Sequence, residues 1–351
     1  MNVVFFTKYT RKGASSRLRT FQYLDYYESQ GIHCTVFPFF NDEYLEEVYK
    51  YKRHNKWLSF KSFIKRIIQL FGIKKYDKVV IEKELFPYLP AFFERFLYTL
   101  NVRYIVDYDD AIFHNYDLHP NPIFRRLLKN KIKKVMRFAG HVVVGNDYLK
   151  QKAIEAGANK ITIIPTVIDI SKYRLRTKRV MKDFTIGWIG SPITAKYLDA
   201  LVPILKSLAE KYPIRLKLIG ANKSLGLVIE ELITWREADE ADQINTFDVG
   251  IMPLEDNIWE RGKCGYKLIQ YMGCGVPVIG TPIGINAKLI IDGWNGFQAT
   301  SLKDWETSLE HLIRSDATVL NQLGMHGRQL VEEQYSLQVY GKKYSEILLN
   351  S

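Results

Sequence analysis

The sequence predicts an α/β protein built on two doubly wound parallel sheets. Short β-branched runs alternate with helical segments along the whole chain, the pattern of parallel strands covered by helices on both faces. Its 351 residues exceed one ordinary domain and fit two of roughly 150–200 residues each. Charge also divides the chain in two. Of a net +12, residues 1–170 hold 28 Lys and Arg against 17 Asp and Glu, whereas the remainder holds 22 against 21.

The first run, "NVVFFT", leads into "SSRLRTFQYLDYYESQG", where Leu18, Phe21, Leu24 and Tyr27 recur at helical spacing and Gly31 closes the segment. The strand-like runs "IHCTVFPF", "KVVIEKE", "RYIVDYDD" and "HVVVGN" follow, each succeeded by a helical stretch. "FTIGWIGS", "IRLKLIGAN", "DVGIMPL", "VPVIGTP" and "GFQAT" repeat the style in the second half. The turn-rich, charged "SKYRLRTKRVMKD" is the candidate linker. The expected domains are residues 1–172 and 173–335, with 336–351 forming a terminal helix that returns to the first.

Composition narrows the class. With 47% hydrophobic and 25% charged residues, the chain has the make-up of a soluble globular protein. Cys34, Cys264 and Cys274 lack metal-ligand spacing and read as reduced thiols. Apolar runs fall short of the roughly 18–20 residues of a membrane span, and no signal-peptide pattern precedes "MNVVFF". A cytoplasmic protein is expected. Neither Gly-x-Gly-x-x-Gly after the first strand nor a Gly-x-x-x-x-Gly-Lys-Ser/Thr loop is present, which argues against a nicotinamide-dependent enzyme and a P-loop ATPase.

Two segments account for the basic half. In "FKSFIKRIIQLFGIKK", Phe60, Phe63, Ile64, Ile67, Ile68 and Phe71 can share a face beside Lys61, Lys65 and Arg66. "FRRLLKNKIKKVMRF" sets Arg125, Arg126, Lys129, Lys133, Lys134 and Arg137 against Leu128, Ile132 and Val135. Such helices either pack on their own sheet with solvated charges or lie on an anionic membrane. Two together favour a peripheral position on the inner face of the cell membrane. Nucleic acid is not expected, for want of a binding motif or aromatic platform.

The stretch richest in chemistry is "ERGKCGYKLIQYMGCGVPVIGTPIGIN". Strand-like runs bracket "GKCGYKLIQYMGCG", which therefore reads as a helix beginning near Gly262–Cys264. Lys263, Lys267 and Gln270 recur at i, i+4, i+7 on one face. A helix N-terminus at the carboxyl edge of a parallel strand attracts anions, and Arg261, Lys263 and Lys267 complete a diphosphate cradle.

In order along the chain stand "GASSRLRTFQYL", "DYDDAIF", "VVVGNDYL", "IIPTVID", "IGWIGS", "DVGIMPLED", the basic stretch above and "DGWNGFQAT". Together they resemble glycosyltransferase family 4. The resemblance implies the GT-B fold, two Rossmann-like domains facing across a cleft, the first binding acceptor and the second a nucleotide-diphosphate-sugar. It implies sugar transfer with retained anomeric configuration to a glycan or lipid-linked acceptor, with neither metal nor other cofactor.

Carried residue by residue, the resemblance makes Ser191 and Lys196 of "IGWIGSPITAKYL" diphosphate ligands. Lys267 matches the lysine three residues before the nucleotide-binding acid. The family's paired glutamates, seven residues between them, are replaced here by Gly262 and Gln270. Gln270 can still hydrogen-bond a ribose diol, whereas Gly262 has no side chain to offer, leaving Glu260 or Glu255 as substitutes. In the first half Gly13, Ser15, Ser16 and Arg17 stand in the loop that approaches donor and acceptor. Asp109 and Asp110 match the segment facing the sugar, and one of them, Asp110 before Asp109, is expected to serve the donor sugar or the acceptor hydroxyl. Arg261 and Lys263 are expected to stabilise the departing diphosphate. The competing readings are a GT-B-like nucleotide-sugar epimerase, which would convert donor without acceptor, and a non-catalytic nucleotide-sugar-binding or membrane scaffold protein.

Overall fold

The computed structural model describes residues 1–51, 55–176 and 183–350. Residues 177–182 of the candidate linker lie outside the described residues. The chain divides into two compact units, Met1–Thr166 with Tyr340–Ser351, and Val167–Val339.

The sheet of unit 1 contains β1 (Asn2–Thr7), β2 (His33–Pro38), β3 (Lys78–Glu82), β4 (Tyr104–Tyr108), β5 (His141–Val144) and β6 (Ile161–Ile163). Their order is β2-β1-β3-β4-β5-β6, parallel throughout, with Phe5 opposite Val80, Ile81 opposite Val106 and Asp107 opposite Val143. Both faces of β1 are buried, which is why its sequence is a continuous apolar run instead of an alternating one. Val4 and Phe6 enter the core with Ile81 and Val106, while Phe5 stacks on Tyr27 at 5.9 Å on the other face. That second face is closed by the chain's last helix, Leu337–Asn350, whose Tyr344 lies 5.6 Å from Tyr23 and 6.0 Å from Tyr27 between ring centroids.

Unit 2 repeats the design with β7 (Phe184–Ile189), β8 (Ile214–Ile219), β9 (Glu230–Ile233), β10 (Val249–Met252), β11 (Val278–Gly280) and β12 (Gly296–Gln298). The order is β12-β11-β10-β7-β8-β9, again parallel. Ile186, Trp188, Leu216 and Ile251 build the core on one face; Ile189, Ile219, Leu268 and Met272 build it on the other. Two parallel sheets flanked by helices are the expected fold class.

The two basic segments differ from each other. The first is one helix, Lys56–Phe71, capped by the Asn55 side chain on the N–H groups of Trp57 and Leu58. Its Arg66, expected beside solvated lysines, is instead buried. The second breaks into Pro122–Leu128 and Lys131–Phe138. In Lys131–Phe138 the apolar Ile132, Val135 and Met136 pack into the core and Lys133, Lys134 and Arg137 face solvent. The break coincides with Lys131 turning inward to pair with buried Glu84. For this helix the packing explanation of its pattern holds.

Candidate functional site

In an open parallel sheet, ligands gather beyond the carboxyl ends of the strands where successive connections leave in opposite directions. In unit 2 that point lies between β7 and β10, since β8 and β9 continue to one side and β11 and β12 to the other. The loop after β7 begins at Gly190. A Cβ at Gly190 would lie 2.6 Å from the Trp188 ring and 2.8 Å from Lys267 Nζ, so the absent side chain admits the lysine. Lys267 Nζ rests 4.4 Å above the Trp188 ring centroid and 3.4 Å from Thr194 Oγ1. Burial first, and then neighbouring Lys263, push its pKa down to about 7, against the pull of Glu260. An anion arriving here would restore its charge.

Lys267 sits in the first turn of the helix Tyr266–Gly273. The residue before that helix, Gly265, is left-handed at φ +65° and offers no side-chain cap. A Cβ there would also come within 2.3 Å of Leu289 Cδ1. The partial positive charge of the helix start is therefore not answered by a capping side chain. The helix begins later than its sequence suggests, because a 3-10 turn, Glu260–Gly262, precedes it. Lys263 lies between the two in extended backbone, φ −63° and ψ 150°. It reaches Lys267 electrostatically without sharing its helix face.

Two buried acids stand behind this cradle. Glu260 Oε1 accepts from the Tyr197 hydroxyl at 2.5 Å, while its Oε2 is buried without a hydrogen-bond partner among the described residues. Glu240 accepts from Tyr173 Oη at 2.6 Å and from Trp235 Nε1 at 2.9 Å. Burial holds the Tyr173 phenol well above its usual pKa, so it keeps its proton and donates a hydrogen bond to Glu240. Its oxygen then accepts from Gln270 Nε2 at 3.1 Å. This order fixes the Gln270 amide, with Nε2 turned to Tyr173 and Oε1 left for another donor.

In unit 1 the corresponding edge is lined from β1, β3 and β4. Gly13 caps the helix Ala14–Arg19, and a Cβ there would meet Tyr9 at 2.4 Å. Ser16 Oγ donates to Glu82 Oε2 at 2.6 Å and accepts from Tyr9 N at 3.0 Å. Ser15 Oγ lies 2.6 Å from Asp109 Oδ2 and 3.0 Å from Glu82 Oε1. Lys83, in left-handed backbone at φ 68°, pairs with Asp109 at 2.9 Å. Burial raises the Asp109 pKa, but Lys83 and Arg19 outweigh it and bring it down to about 2. Asp109 is thus a fixed anion and a poor base. Asp110 is the more open of the two, with Oδ1 accepting from Ala111 N at 2.8 Å.

With this geometry in place, comparison with known proteins is informative. Residues 183–315 match the family model described as "Glycosyl transferases group 1". No curated protein matches the chain by sequence. Solved structures match it from end to end. Anabaena HepE, solved with UDP and glucose, is 15% identical, covers 100% of both chains and gives a TM-score of 0.70. WaaG, a glycosyltransferase of lipopolysaccharide biosynthesis, is 13% identical with 100% of both chains covered and a TM-score of 0.70. Sucrose-phosphate synthase from Thermosynechococcus elongatus is 11% identical, covering 99% of this chain and 98% of that one at a TM-score of 0.70. The fold is that of the GT-B glycosyltransferases. At these identities the likeness is one of fold.

Within the GT-B frame the sequence-derived residues fall into groups. Ser16 and Asp109 meet through Glu82 and Ser15, and Arg17 is buried on the same helix. Lys263 and Lys267 are neighbours, and Ser191 adjoins them through Thr194, whose Oγ1 donates to Ser191 O at 3.0 Å. Lys196 is exposed, 5.0 Å above the Tyr197 ring. Arg261 is turned to solvent, where Asp256 engages it at 3.2 Å. Gln270 lies deeper, in the Tyr173–Glu240 chain. Sequence reasoning missed Glu82, Lys83, Trp188, Tyr173 and Glu240. The signal for Glu82 and Lys83 was available, since "KVVIEKE" ends a buried strand in charge. No local signal marks Tyr173 or Glu240.

Proposed function

We propose that the protein is a retaining glycosyltransferase that moves a sugar from a nucleotide-diphosphate-sugar to a glycan or lipid-linked acceptor. The observation that carries this is Lys267, held over Trp188 at the switch point of the second sheet beside an uncapped helix start. The matched family and the UDP-bound HepE relative support the donor class.

In this reading unit 2 holds the donor. Lys267, Lys263 and the first-turn N–H groups answer the charge that grows on the departing diphosphate, without metal or other cofactor. The leaving phosphate oxygen takes the proton of the acceptor hydroxyl on the same face, which retains the anomeric configuration. Gln270 Oε1 accepts from the ribose, and Glu260 takes the duty of the absent first glutamate. In unit 1, Asp110 orients the acceptor hydroxyl or donor sugar, while Asp109, fixed by Lys83, shapes the edge through Ser15 and Glu82. A peripheral position on an anionic membrane belongs to the same reading.

The deciding experiment is a thermal-shift screen against nucleotide-diphosphate-sugars, followed by turnover with glycan and lipid-linked acceptors. A donor at a hundred times its Kd is expected to add about 2.7 kcal/mol of stability. A chain that binds no nucleotide-diphosphate would overturn the proposal; one that converts donor to a new nucleotide-sugar without acceptor is an epimerase.

Tyr173→Phe tests the fixed amide. Losing the phenol leaves Gln270 Nε2 without its acceptor and frees the side chain to rotate. KM for donor is expected to rise roughly tenfold, about one lost hydrogen bond, with kcat little changed. The loss should vanish when the nucleotide lacks both ribose hydroxyls. An equal fall in kcat for both nucleotides would show a merely structural role.

A further inference from the structure

We infer that one face of unit 1 is a docking surface for anionic lipid, formed by the helices Lys56–Phe71, Phe92–Thr99 and Pro122–Leu128. The helix Lys56–Phe71 presents Trp57, Phe60, Ile64, Ile67, Ile68 and Phe71 to solvent. Phe71 is 84% exposed and Ile68 63%. These positions run i, i+3, i+7, i+10, i+11, i+14, one stripe along a helix about 24 Å long. Its other side is firmly held. Buried Arg66 donates to the carbonyls of Thr7 and Phe37 at 3.0 Å each and lies 4.8 Å from the Phe6 ring centroid; Leu58 is buried and Phe63 packs against the core. The outward stripe is thus a fixed feature of a well-anchored helix.

Ring contacts join the three helices into one neighbourhood. Phe63 stacks on Phe86 at 5.8 Å, and Phe86 meets Phe93 of Phe92–Thr99 at 4.2 Å. Tyr88, on the loop between them, meets His119 at 6.2 Å, and His119 meets Phe124 at 5.2 Å. Phe92, Phe96, Ile123 and Leu127 add their exposed side chains. A surface of this apolar extent marks an interaction site.

Charge selects the occupant. The chain has no Asp or Glu from Val48 to Tyr76, nor from Leu118 to Asn146. The remaining helix carries one carboxylate, Glu94, and it is buried. Lys56, Lys61, Lys65, Arg125 and Arg126 are exposed beside the apolar stripe, and Lys61 Nζ lies 5.3 Å above the Trp57 ring. Aromatic and aliphatic side chains edged by cations, with no exposed carboxylate, fit the acyl–headgroup boundary of an anionic bilayer. The inference rests on the proposed function only for its purpose, a membrane-borne acceptor; docking itself needs neither donor nor turnover.

Flotation with phosphatidylcholine vesicles, with and without phosphatidylglycerol, tests it on the full chain without nucleotide. Binding to the anionic vesicles is expected at low salt, and a fraction should persist at high salt because the apolar stripe is not screened. Lys61→Ala with Lys65→Ala is expected to weaken partitioning roughly tenfold or more at low salt. Ile68→Glu with Phe71→Glu should abolish the salt-resistant fraction, and both sites are exposed enough to leave folding intact. Val228→Glu, on the surface of unit 2, should change nothing. Absence of binding to anionic vesicles at low salt would overturn the inference. So would binding indifferent to both double variants, or a stable dimer that Ile68→Glu with Phe71→Glu dissolves while vesicles are ignored. Vesicle binding by a chain that binds no nucleotide would leave the inference standing and defeat the proposed function alone.

Discussion

Lys267→Met is expected to lower turnover by about 10²–10³-fold while leaving the protein at least as heat-stable as the wild type. The two effects have one cause. Lys267 is a partly buried ammonium over an indole, and burial and Lys263 hold its pKa at about 7 instead of 10.5. Between those values the unfolded chain binds a proton that the folded chain does not, so folding stability rises with pH across that window. Methionine removes the cost and the slope together. In activity the sign reverses, because the proposed diphosphate would demand the charged lysine. Above pH 7 each binding event must take up a proton, and diphosphate affinity should fall by up to about tenfold per pH unit. Calorimetry of diphosphate binding from pH 7 to 9 in buffers of different ionisation enthalpy measures that uptake directly. Wild-type activity in Lys267→Met, or uptake that survives the substitution, would remove Lys267 from the cradle.

The second large effect is on stability. Arg19→Met is expected to cost about 3–5 kcal/mol, the usual loss when one partner of a buried pair is removed. Arg19 Nε and Nη2 engage Asp107 at 3.0 and 2.7 Å, and Nη1 donates to Ile164 O at 2.8 Å. Both side chains are almost wholly buried, 1% and 3% exposed. Burial already raises the Asp107 pKa, against the pull of Arg19; without the guanidinium the carboxyl would have to take a proton or stay charged in the core. Urea unfolding followed in unit 1 measures the loss. Adding Asp107→Asn should recover part of it, since the orphaned charge goes too. A midpoint matching wild type in Arg19→Met would show that the pair contributes nothing net.

The fold was legible because parallel strands buried on both faces have no room for polar alternation. "VVFF" (Val3–Phe6) and "VVV" (Val142–Val144) are apolar at every position for that reason, and each run became part of a strand. The place of Lys267 was legible too, near the start of a helix that follows a buried strand. What escaped the reading depends on approach in three dimensions. Nothing near Tyr173 in the sequence indicates Glu240 or Gln270, 67 and 97 residues away. Arg66 was misjudged for a related reason. Helical spacing gives the face of a side chain, but only the carbonyls of Thr7 and Phe37, at the ends of two strands, show that this face points inward.

The last helix has a consequence for how the chain is made. Tyr344 donates to Asp107 at 2.9 Å across 237 residues, and it closes the face of the first sheet beside Tyr23 and Tyr27. At about 5–20 residues per second, synthesis leaves that face waiting at least roughly ten seconds after Thr166 has been added. During that interval Tyr23 and Tyr27 lack their partner, and Asp107 has Arg19 without the phenol. Unit 2, whose chain is continuous, meets no such delay. The ribosome therefore finishes the second unit before the first, and a nascent chain stalled short of Tyr344 would expose an open tyrosine face to chaperones.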